Sequence, residues 1–279
     1  MLLSVNLAYL HPRLFTTLLL LDPVIQLSPP TMGFGTDAPG GINFMVHRKD
    51  TWPNRAIAAA TQAKMSKDWD PRVLDRMVEH GFRELPTALY PEVPKNFNPL
   101  DPPVTLTTTK FQDSLGQLRE NFEARQPDGR IEINRQTHAD MDPLAAFVPL
   151  YRPEPRSTYY RLPSLRPSTL WVLPSRTFLN LDEMREGIKA TGTGVGGSGG
   201  ADRVKEVLIK GHVHLLPFTA VGQTADACAA WLKSELTLYR KQEAEWNEKR
   251  AAMTPRDHLT LPPQWAKVVK PLSAFKGKI

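Results

Sequence analysis

Two histidines, His212 and His214, stand just beyond a short run in which apolar and polar residues alternate. The alternation predicts a strand over Arg203–Lys210, and Gly211 ends it. In open α/β sheets, ligands bind beyond the carboxyl ends of the strands, so a histidine in this position can serve as a general base. A structural hydrogen-bonding role is the alternative for either residue.

The elements that would position these histidines alternate between strands and helices. Leu14–Leu21 is a continuous apolar run bounded by Asp22-Pro23, which is typical of a buried strand in a parallel sheet. The later predicted elements are a strand at Ser168–Leu173, a helix at Asp182–Ala190, the strand at Arg203–Lys210 and a long helix at Thr224–Trp246. With the helical insertion after the first strand, this order predicts the second half of a doubly wound α/β domain.

The insertion is rich in proline and is punctuated by helices. Asp70 as N-cap and Pro71 in the first turn predict a helix that ends at Gly81. A second helix is predicted over Phe111–Arg125. The segment Asp142–Pro163 contains many Pro, Arg and Tyr residues and is predicted to be an extended connector.

Composition excludes several classes of protein. The 279 residues are 41% apolar, which is enough for a hydrophobic core, and the net charge of +6 is spread along the chain rather than clustered. Nucleic-acid binding is therefore not expected. A single cysteine, Cys228, excludes an intramolecular disulfide, and with no Asn-x-Ser/Thr acceptor the chain is predicted to be intracellular. The apolar first residues lack the basic region of a signal peptide, and no stretch is long enough to span a membrane.

Four long segments carry a resemblance to a known family: HPRLFTTLLLLDPVI, WDPRVLDRMVEHGFRELPTALYP, LYRPEPRSTYYRLPSLRPS and GTGVGGSGGADRVKEVLIKGHVHLLPF. In this order they resemble fungal α/β-hydrolases related to the yeast peroxisomal lipase and to host-selective toxin biosynthesis proteins. The resemblance covers nearly the whole chain. It implies a serine-hydrolase fold with a helical lid, and a triad in the order Ser, acid, His.

The resemblance assigns the general base to His214, because this histidine precedes Leu215-Leu216-Pro217 in the family's pattern of two apolar residues and a proline. The chain departs from that pattern at Val213, where glycine is common, and at Thr219, where an acid is usual. His212 therefore remains the alternative base.

Asp22 is predicted to be the acid of the triad. It ends the first strand, whereas the matching loop after the later strand reads Pro174-Ser175-Arg176-Thr177 and contains no carboxylate. A carboxylate is needed to stabilise the imidazolium, a task that Thr177 cannot perform. The alternative for Asp22 is a role as strand terminator or cap.

The expected nucleophile motif is not found at its expected place in the sequence. The family places it in a G-x-S-x-G elbow ahead of the first helix, and the chain begins within that helix, so an N-terminally truncated α/β-hydrolase fold is expected. Ser4 lies too far along the helix and lacks flanking glycines. The sequence Gly196–Gly200 matches the motif literally, but it stands between a helix and a strand and is predicted to be a flexible linker. Recruitment of Ser198 as a substitute nucleophile is the least favoured hypothesis.

The resemblance also divides the chain. Residues 1–25 are predicted to be hydrolase core, 26–160 a helical lid, 161–250 the remaining core, and 251–279 a tail. The last three residues, Gly277, Lys278 and Ile279, resemble a peroxisomal signal, which would make the import receptor a partner and the peroxisome the location, with the cytoplasm as alternative.

The expected function is hydrolysis of an ester or related acyl bond, with this chain inactive alone because the serine is missing. A non-catalytic binding or scaffold protein derived from an α/β-hydrolase is the alternative. Aromatic residues of the lid, Trp52, Trp69, Phe82 and Tyr90, indicate an apolar acyl or ester substrate. No cofactor and no metal are expected, because the histidines at 47, 80, 138 and 258 lack ligand spacing.

Overall fold

The computed structural model describes residues 2–27 and 41–271. The chain divides into two compact units, Met1–Trp231 and Leu232–Ile279. The first unit contains every residue discussed as a candidate site, apart from the last three residues of the chain. Those three, Gly277 to Ile279, lie outside the described residues.

A parallel sheet of three strands forms the centre of the first unit. Its order is β1 (Thr17–Leu21), β7 (Ser168–Pro174) and β8 (Val204–Ile209). All seven residues of β7 are buried, as expected for a middle strand that is covered on both faces. In register, Leu21 of β1 and Val207 of β8 both pair with Val172 of β7, so the carboxyl ends of the three strands lie together.

Helices cover both faces of this sheet. The core on one face joins α1 (Leu2–Leu10) and α7 (Leu181–Ala190) to Leu18, Leu20 and Trp171 of the strands. The core on the other face joins Leu170 and Val172 to α8 (Leu216–Thr219) and to the first turns of α9 (Val221–Ala251). The predicted α/β class, with the order strand, insertion, strand, helix, strand, helix, is confirmed.

The insertion forms a small antiparallel sheet with helices beside it. Its strands are β2 (Thr51–Trp52), β4 (Val104–Leu106) and β3 (Phe82–Glu84), in that spatial order. The helices are α2 (Gly41–His47), α3 (Arg55–Met65), α4 (Pro71–His80) and α5 (Lys110–Leu115). The predicted ends of α4 are confirmed, because the Asp70 side chain accepts a hydrogen bond from the Arg72 amide and Gly81 is the C-cap.

The predicted helix over Phe111–Arg125 is wrong beyond its first turns. Helix α5 ends at Leu115 with Gly116 as its cap, and β5 (Arg119–Glu120) follows and pairs with β6 (Leu150–Tyr151). The apolar side chains that suggested a longer helix do not form a buried stripe, since Phe122 is 71% exposed. Without a stripe to bury, tertiary packing does not extend the helix.

The prediction of an extended connector over Asp142–Pro163 is also wrong. This segment contains a 3-10 turn at Pro143–Ala145, strand β6, and helix α6 (Glu154–Arg161). Pro155 stands in the first turn of α6, where a proline does not interrupt the helical hydrogen bonds. Asn6 of α1 donates a hydrogen bond of 2.9 Å to Thr158, which holds α6 against the core. The last helix, α10, spans Gln264–Val268.

Candidate active site

Asp22 lies at the carboxyl end of β1. Its backbone amide donates a hydrogen bond of 2.8 Å to the Val172 carbonyl, which extends the β1 and β7 pairing by one residue. Its φ of 42° is in the left-handed region, which aspartate tolerates better than most residues. The side chain is fully buried. The backbone of Asp22 is therefore fixed at the end of the strand, and its carboxylate is shielded from water.

The loop after β8 carries both histidines. Gly211 has a φ of 81°, which turns the backbone sharply after the strand, and its amide donates a hydrogen bond of 2.9 Å to Ser175 Oγ. The His212 carbonyl accepts a hydrogen bond of 3.0 Å from the Arg176 amide. These bonds tie the histidine loop to the loop that follows β7.

A short hydrogen bond joins the two sequence-predicted residues. His214 Nδ1 lies 2.7 Å from Asp22 Oδ2, and because the carboxylate is an acceptor, Nδ1 carries the proton and donates it. The imidazole keeps 30% of its surface exposed. Among the described residues, none is hydrogen-bonded to Nε2, so this nitrogen is available to accept a proton from a third group.

His212 does not share this contact. Its Nδ1 lies 3.3 Å from Thr219 Oγ1, at the residue where the family usually has an acid. Of the two histidines left open by the sequence, the structure brings only His214 to Asp22.

Two further residues contact the pair, and the sequence had not suggested them. Thr177 Oγ1 donates a hydrogen bond of 2.7 Å to Asp22 Oδ2. The ring of Phe178 lies 4.7 Å from the His214 ring, with the planes at 59°. Both residues follow β7 at the same sheet edge as Asp22, and that shared edge was the signal that could have found them.

Ser198 is remote from this pair. Its side chain is 5% exposed, and Oγ donates a hydrogen bond of 2.9 Å to the carbonyl of Pro167, just before β7 begins. The seven residues of β7 span about 20 Å, and Asp22 lies at the other end of that strand. The glycine loop is closely packed at this point, since a Cβ at Gly197 would lie 2.1 Å from the Gly192 carbonyl oxygen.

A cleft of about 880 Å³ opens beside the histidine loop. Leu215, the residue after His214, lines it together with Phe218. The insertion supplies the opposite wall, which includes two of the four predicted aromatic residues, Trp52 and Trp69. Its lining is largely apolar, with Arg48, Lys49 and Asp113 as charged members.

The other two predicted aromatic residues serve the insertion itself. Phe82 is buried and packs edge-on against Trp52, with ring centroids 5.3 Å apart. Tyr90 Oη donates a hydrogen bond of 2.5 Å to Asp50, and burial together with this bond raises the pKa of Tyr90 to about 12.

The insertion contacts helix α8, which directly follows the histidine loop. The Asp70 amide donates a hydrogen bond of 2.8 Å to the Phe218 carbonyl, and the rings of Trp69 and Phe218 lie 4.7 Å apart.

The described part of the chain contains neither a metal-binding cluster nor a membrane-spanning helix. Within residues 2–27 and 41–271, no three His, Cys, Asp or Glu side chains form a group that could hold a metal ion. No helix in those ranges is both long enough and apolar enough to cross a membrane.

Comparisons with known proteins identify relatives among fungal enzymes. The chain is 53% identical, over 283 aligned residues and 98% of its length, to a type I acyl-CoA thioesterase of Penicillium roqueforti (strain FM164). It is 26% identical, over 80% of its length and 76% of the relative, to an abhydrolase domain-containing protein of Alternaria alternata. The predicted resemblance to fungal α/β-hydrolases is thereby confirmed.

The chain spans about 65% of the length of the Penicillium relative. Among solved structures, the peroxisomal α/β-hydrolase Lpx1 of Saccharomyces cerevisiae is similar with a TM-score of 0.49 and 14% identity, over 91% of this chain and 60% of that one. No protein-family model matches the chain.

Proposed function

We propose that this chain, a relative of the fungal α/β-hydrolases, supplies the acid and the general base of an enzyme that hydrolyses an acyl thioester or ester. The observation that carries the proposal is the 2.7 Å hydrogen bond from His214 Nδ1 to the fully buried Asp22. An imidazole oriented by a buried carboxylate is the arrangement that activates a hydroxyl nucleophile.

In this mechanism, His214 Nε2 accepts the proton of a serine hydroxyl while the serine oxygen attacks the acyl carbonyl carbon. Asp22 stabilises the imidazolium that forms, without taking its proton. The carbon–sulfur or carbon–oxygen bond breaks, and the imidazolium gives its proton to the leaving thiolate or alkoxide. Water then attacks the acyl carbon of the acyl-serine while His214 takes a proton from the water. The bond between the acyl carbon and the serine oxygen breaks, His214 returns the proton to that oxygen, and the carboxylic acid leaves.

The substrate class proposed is an apolar acyl group carried as a thioester. The cleft beside Leu215 supports this proposal, because its apolar wall begins one residue after His214 and its volume of about 880 Å³ is within the usual range for small-molecule sites. The thioester is favoured over the ester because the relatives from Penicillium roqueforti and Penicillium brevicompactum, 53% and 52% identical to this chain, are named type I acyl-CoA thioesterases.

The serine is proposed to lie in the part of the relatives that this chain does not span. The resemblance implies the order Ser, acid, His, which places the serine ahead of Asp22. Strand β1 is at the edge of a parallel sheet, and Leu3 and Leu10 of α1 are 81% and 71% exposed. Parallel sheets are normally covered on both faces and extended at their edges, so an additional segment is expected to pack there. The chain alone is accordingly proposed to be inactive.

The test joins the segment of the Penicillium relative that this chain does not span to the start of this chain, and measures thiol release from acyl-CoA thioesters. We expect turnover by the chimera and none by the chain alone. His214→Gln should lower kcat by about 10³-fold, because the general base is lost. His212→Gln, on the same loop, is the matched control and should leave kcat within a few-fold of the parent.

The proposal fails if the chimera is folded and active and His214→Gln retains full activity. If no chimera hydrolyses any thioester but the chain binds a non-hydrolysable acyl-CoA thioether, the non-catalytic binding role replaces the proposed function.

A peroxisomal location is proposed on a separate basis, the resemblance of Gly277, Lys278 and Ile279 to an import signal. The proposed partner is the receptor that reads this signal. A fluorescent protein that carries the last ten residues should enter peroxisomes, and the same fusion without the final tripeptide should not. Diffuse fluorescence from both fusions would refute the location.

A further inference from the structure

Thr177 and Phe178, which follow β7, contact both members of the Asp22–His214 pair. We propose that Thr177 is a positioning residue, which holds the Asp22 carboxylate in the orientation that accepts the hydrogen bond from His214 Nδ1. This inference rests on the proposed function, since it concerns the same pair. The inference gives a role to Thr177, which lies in the loop after β7, where the sequence contains no carboxylate.

Both donors converge on one oxygen of the carboxylate. Thr177 Oγ1 and His214 Nδ1 each lie 2.7 Å from Asp22 Oδ2. Oδ1 is buried, and no described residue is hydrogen-bonded to it. The terminal torsion of an aspartate is broad and has little preference of its own. With His214 as its only partner, the carboxylate could therefore rotate about its terminal torsion and still keep one hydrogen bond. A second donor, from the loop after β7, removes that freedom.

The direction of the Thr177 hydroxyl proton is determined by its other contact. Oγ1 accepts a hydrogen bond of 3.1 Å from the Leu179 amide, which uses a lone pair of the oxygen. The single hydroxyl proton is then directed to Asp22. The β-branched side chain also restricts the χ1 rotamer of Thr177.

The backbone around Thr177 is itself attached to the histidine loop. The Ser175 amide donates a hydrogen bond of 3.0 Å to the Ile209 carbonyl. The Arg176 amide donates a hydrogen bond of the same length to the His212 carbonyl. Thr177 is thus held at a constant distance from the loop of His214 while its hydroxyl binds Asp22. The Thr177 hydroxyl orients the carboxylate without adding a charge. The attraction between the Asp22 carboxylate and the His214 imidazolium is therefore not reduced by a neighbouring positive charge.

The test measures the Nδ1 proton of His214 by nuclear magnetic resonance of the full chain labelled with ¹⁵N-histidine. The signal is assigned by its loss in His214→Gln. Thr177→Val removes the hydroxyl and keeps the branched shape, and Thr177→Ser restores the hydroxyl. Thr169→Val is the matched control, because it removes a buried hydroxyl near the other end of β7, where Thr169 donates to the Pro167 carbonyl.

We expect the parent chain, Thr177→Ser and Thr169→Val to show a protonated Nδ1 that exchanges slowly with water. In Thr177→Val this exchange should be about fivefold faster, the factor that corresponds to one ordinary hydrogen bond. Circular dichroism monitors whether each variant folds. If Thr177→Val does not fold, Thr177→Ala removes the same hydroxyl and replaces it in the test.

The proposal is overturned if the His214 Nδ1 proton exchanges at the parent rate in folded Thr177→Val or Thr177→Ala. It is also overturned if this proton exchanges as fast in Thr177→Ser as in Thr177→Val. Equal acceleration in Thr169→Val also overturns it, because the effect would then be general loosening of β7. The measurement needs no substrate and no serine, so failure of the chimera to hydrolyse thioesters leaves this result standing and refutes the proposed function separately.

Discussion

His214 and Asp22 are 192 positions apart in the chain, and a hydrogen bond of 2.7 Å joins Nδ1 of the histidine to Oδ2 of the aspartate. The aspartate is fully buried, while the imidazole is 30% exposed. Because Asp22 binds Nδ1 from the buried side and the imidazole is partly exposed, Nε2 of His214 can contact a third group. This relationship leads to predictions about activity, folding and pH dependence.

Asp22→Asn should abolish most of the activity of the chimera while the fold remains intact. Asparagine accepts the left-handed backbone conformation, but its neutral amide neither stabilises the imidazolium nor selects the same tautomer, so kcat should fall by about 10⁴-fold. Asp202→Asn is the matched control, because Asp202 also has a positive φ, of 56°. A small effect at Asp22, similar to that at Asp202, would indicate a role as strand terminator only.

Gly211→Ala should destabilise the chain and displace the histidine loop. No atom lies within 4 Å of the added Cβ, so the cost comes from the φ of 81° and should be about 1–2 kcal/mol in the free energy of unfolding. Urea denaturation measures this cost. Gly222→Ala, which also meets no atom within 4 Å and has no positive φ, should be neutral or stabilising. Equal effects at the two glycines would contradict the strain at Gly211.

Ser198→Ala should leave labelling by a fluorophosphonate probe unchanged, because Ser198 lies at the opposite end of β7 from Asp22. The lost hydrogen bond to the Pro167 carbonyl should lower the free energy of unfolding by about 1 kcal/mol. Labelling of the parent chain that disappears in Ser198→Ala would instead identify this serine as the nucleophile.

Acid should weaken the N-terminal end of α4 over a defined pH range. A hydrogen bond from Arg72 lowers the pKa of Asp70 from 3.8 to about 2. A carboxyl group whose pKa is lower in the folded chain contributes stability above its unfolded pKa, and that contribution is lost as the pH falls from about 4 to about 2. Asp70→Asn keeps a capping side chain but does not titrate, so its stability should depend less on pH in this range.

Urea midpoints at pH 5, 4, 3 and 2 compare the two proteins. Parallel pH profiles for the parent chain and Asp70→Asn would show that the Asp70–Arg72 pair does not contribute to the acid sensitivity.

The sequence allowed the local elements with strong end signals to be predicted. Helix α4 has its cap at Asp70 and ends before Gly81, as expected, because capping depends on residues within one or two turns. The buried strand β7 was evident from its apolar run. The helix expected over Phe111–Arg125 failed because its apolar residues are not buried together: Leu118 is buried, whereas Leu115 and Phe122 are 68% and 71% exposed. Periodicity alone does not reveal this difference.

The sequence by itself determined the α/β order, and it indicated that Asp22 and the two histidines follow strands of one parallel sheet. Only the tertiary structure decided that His214 rather than His212 meets Asp22, that Thr177 binds the same carboxylate oxygen, and that Ser198 is at the opposite end of the sheet. Apolar runs and caps are local properties, whereas side chains after different strands meet according to strand register and loop geometry. Those depend on pairings between residues more than 150 positions apart, such as Leu21 with Val172.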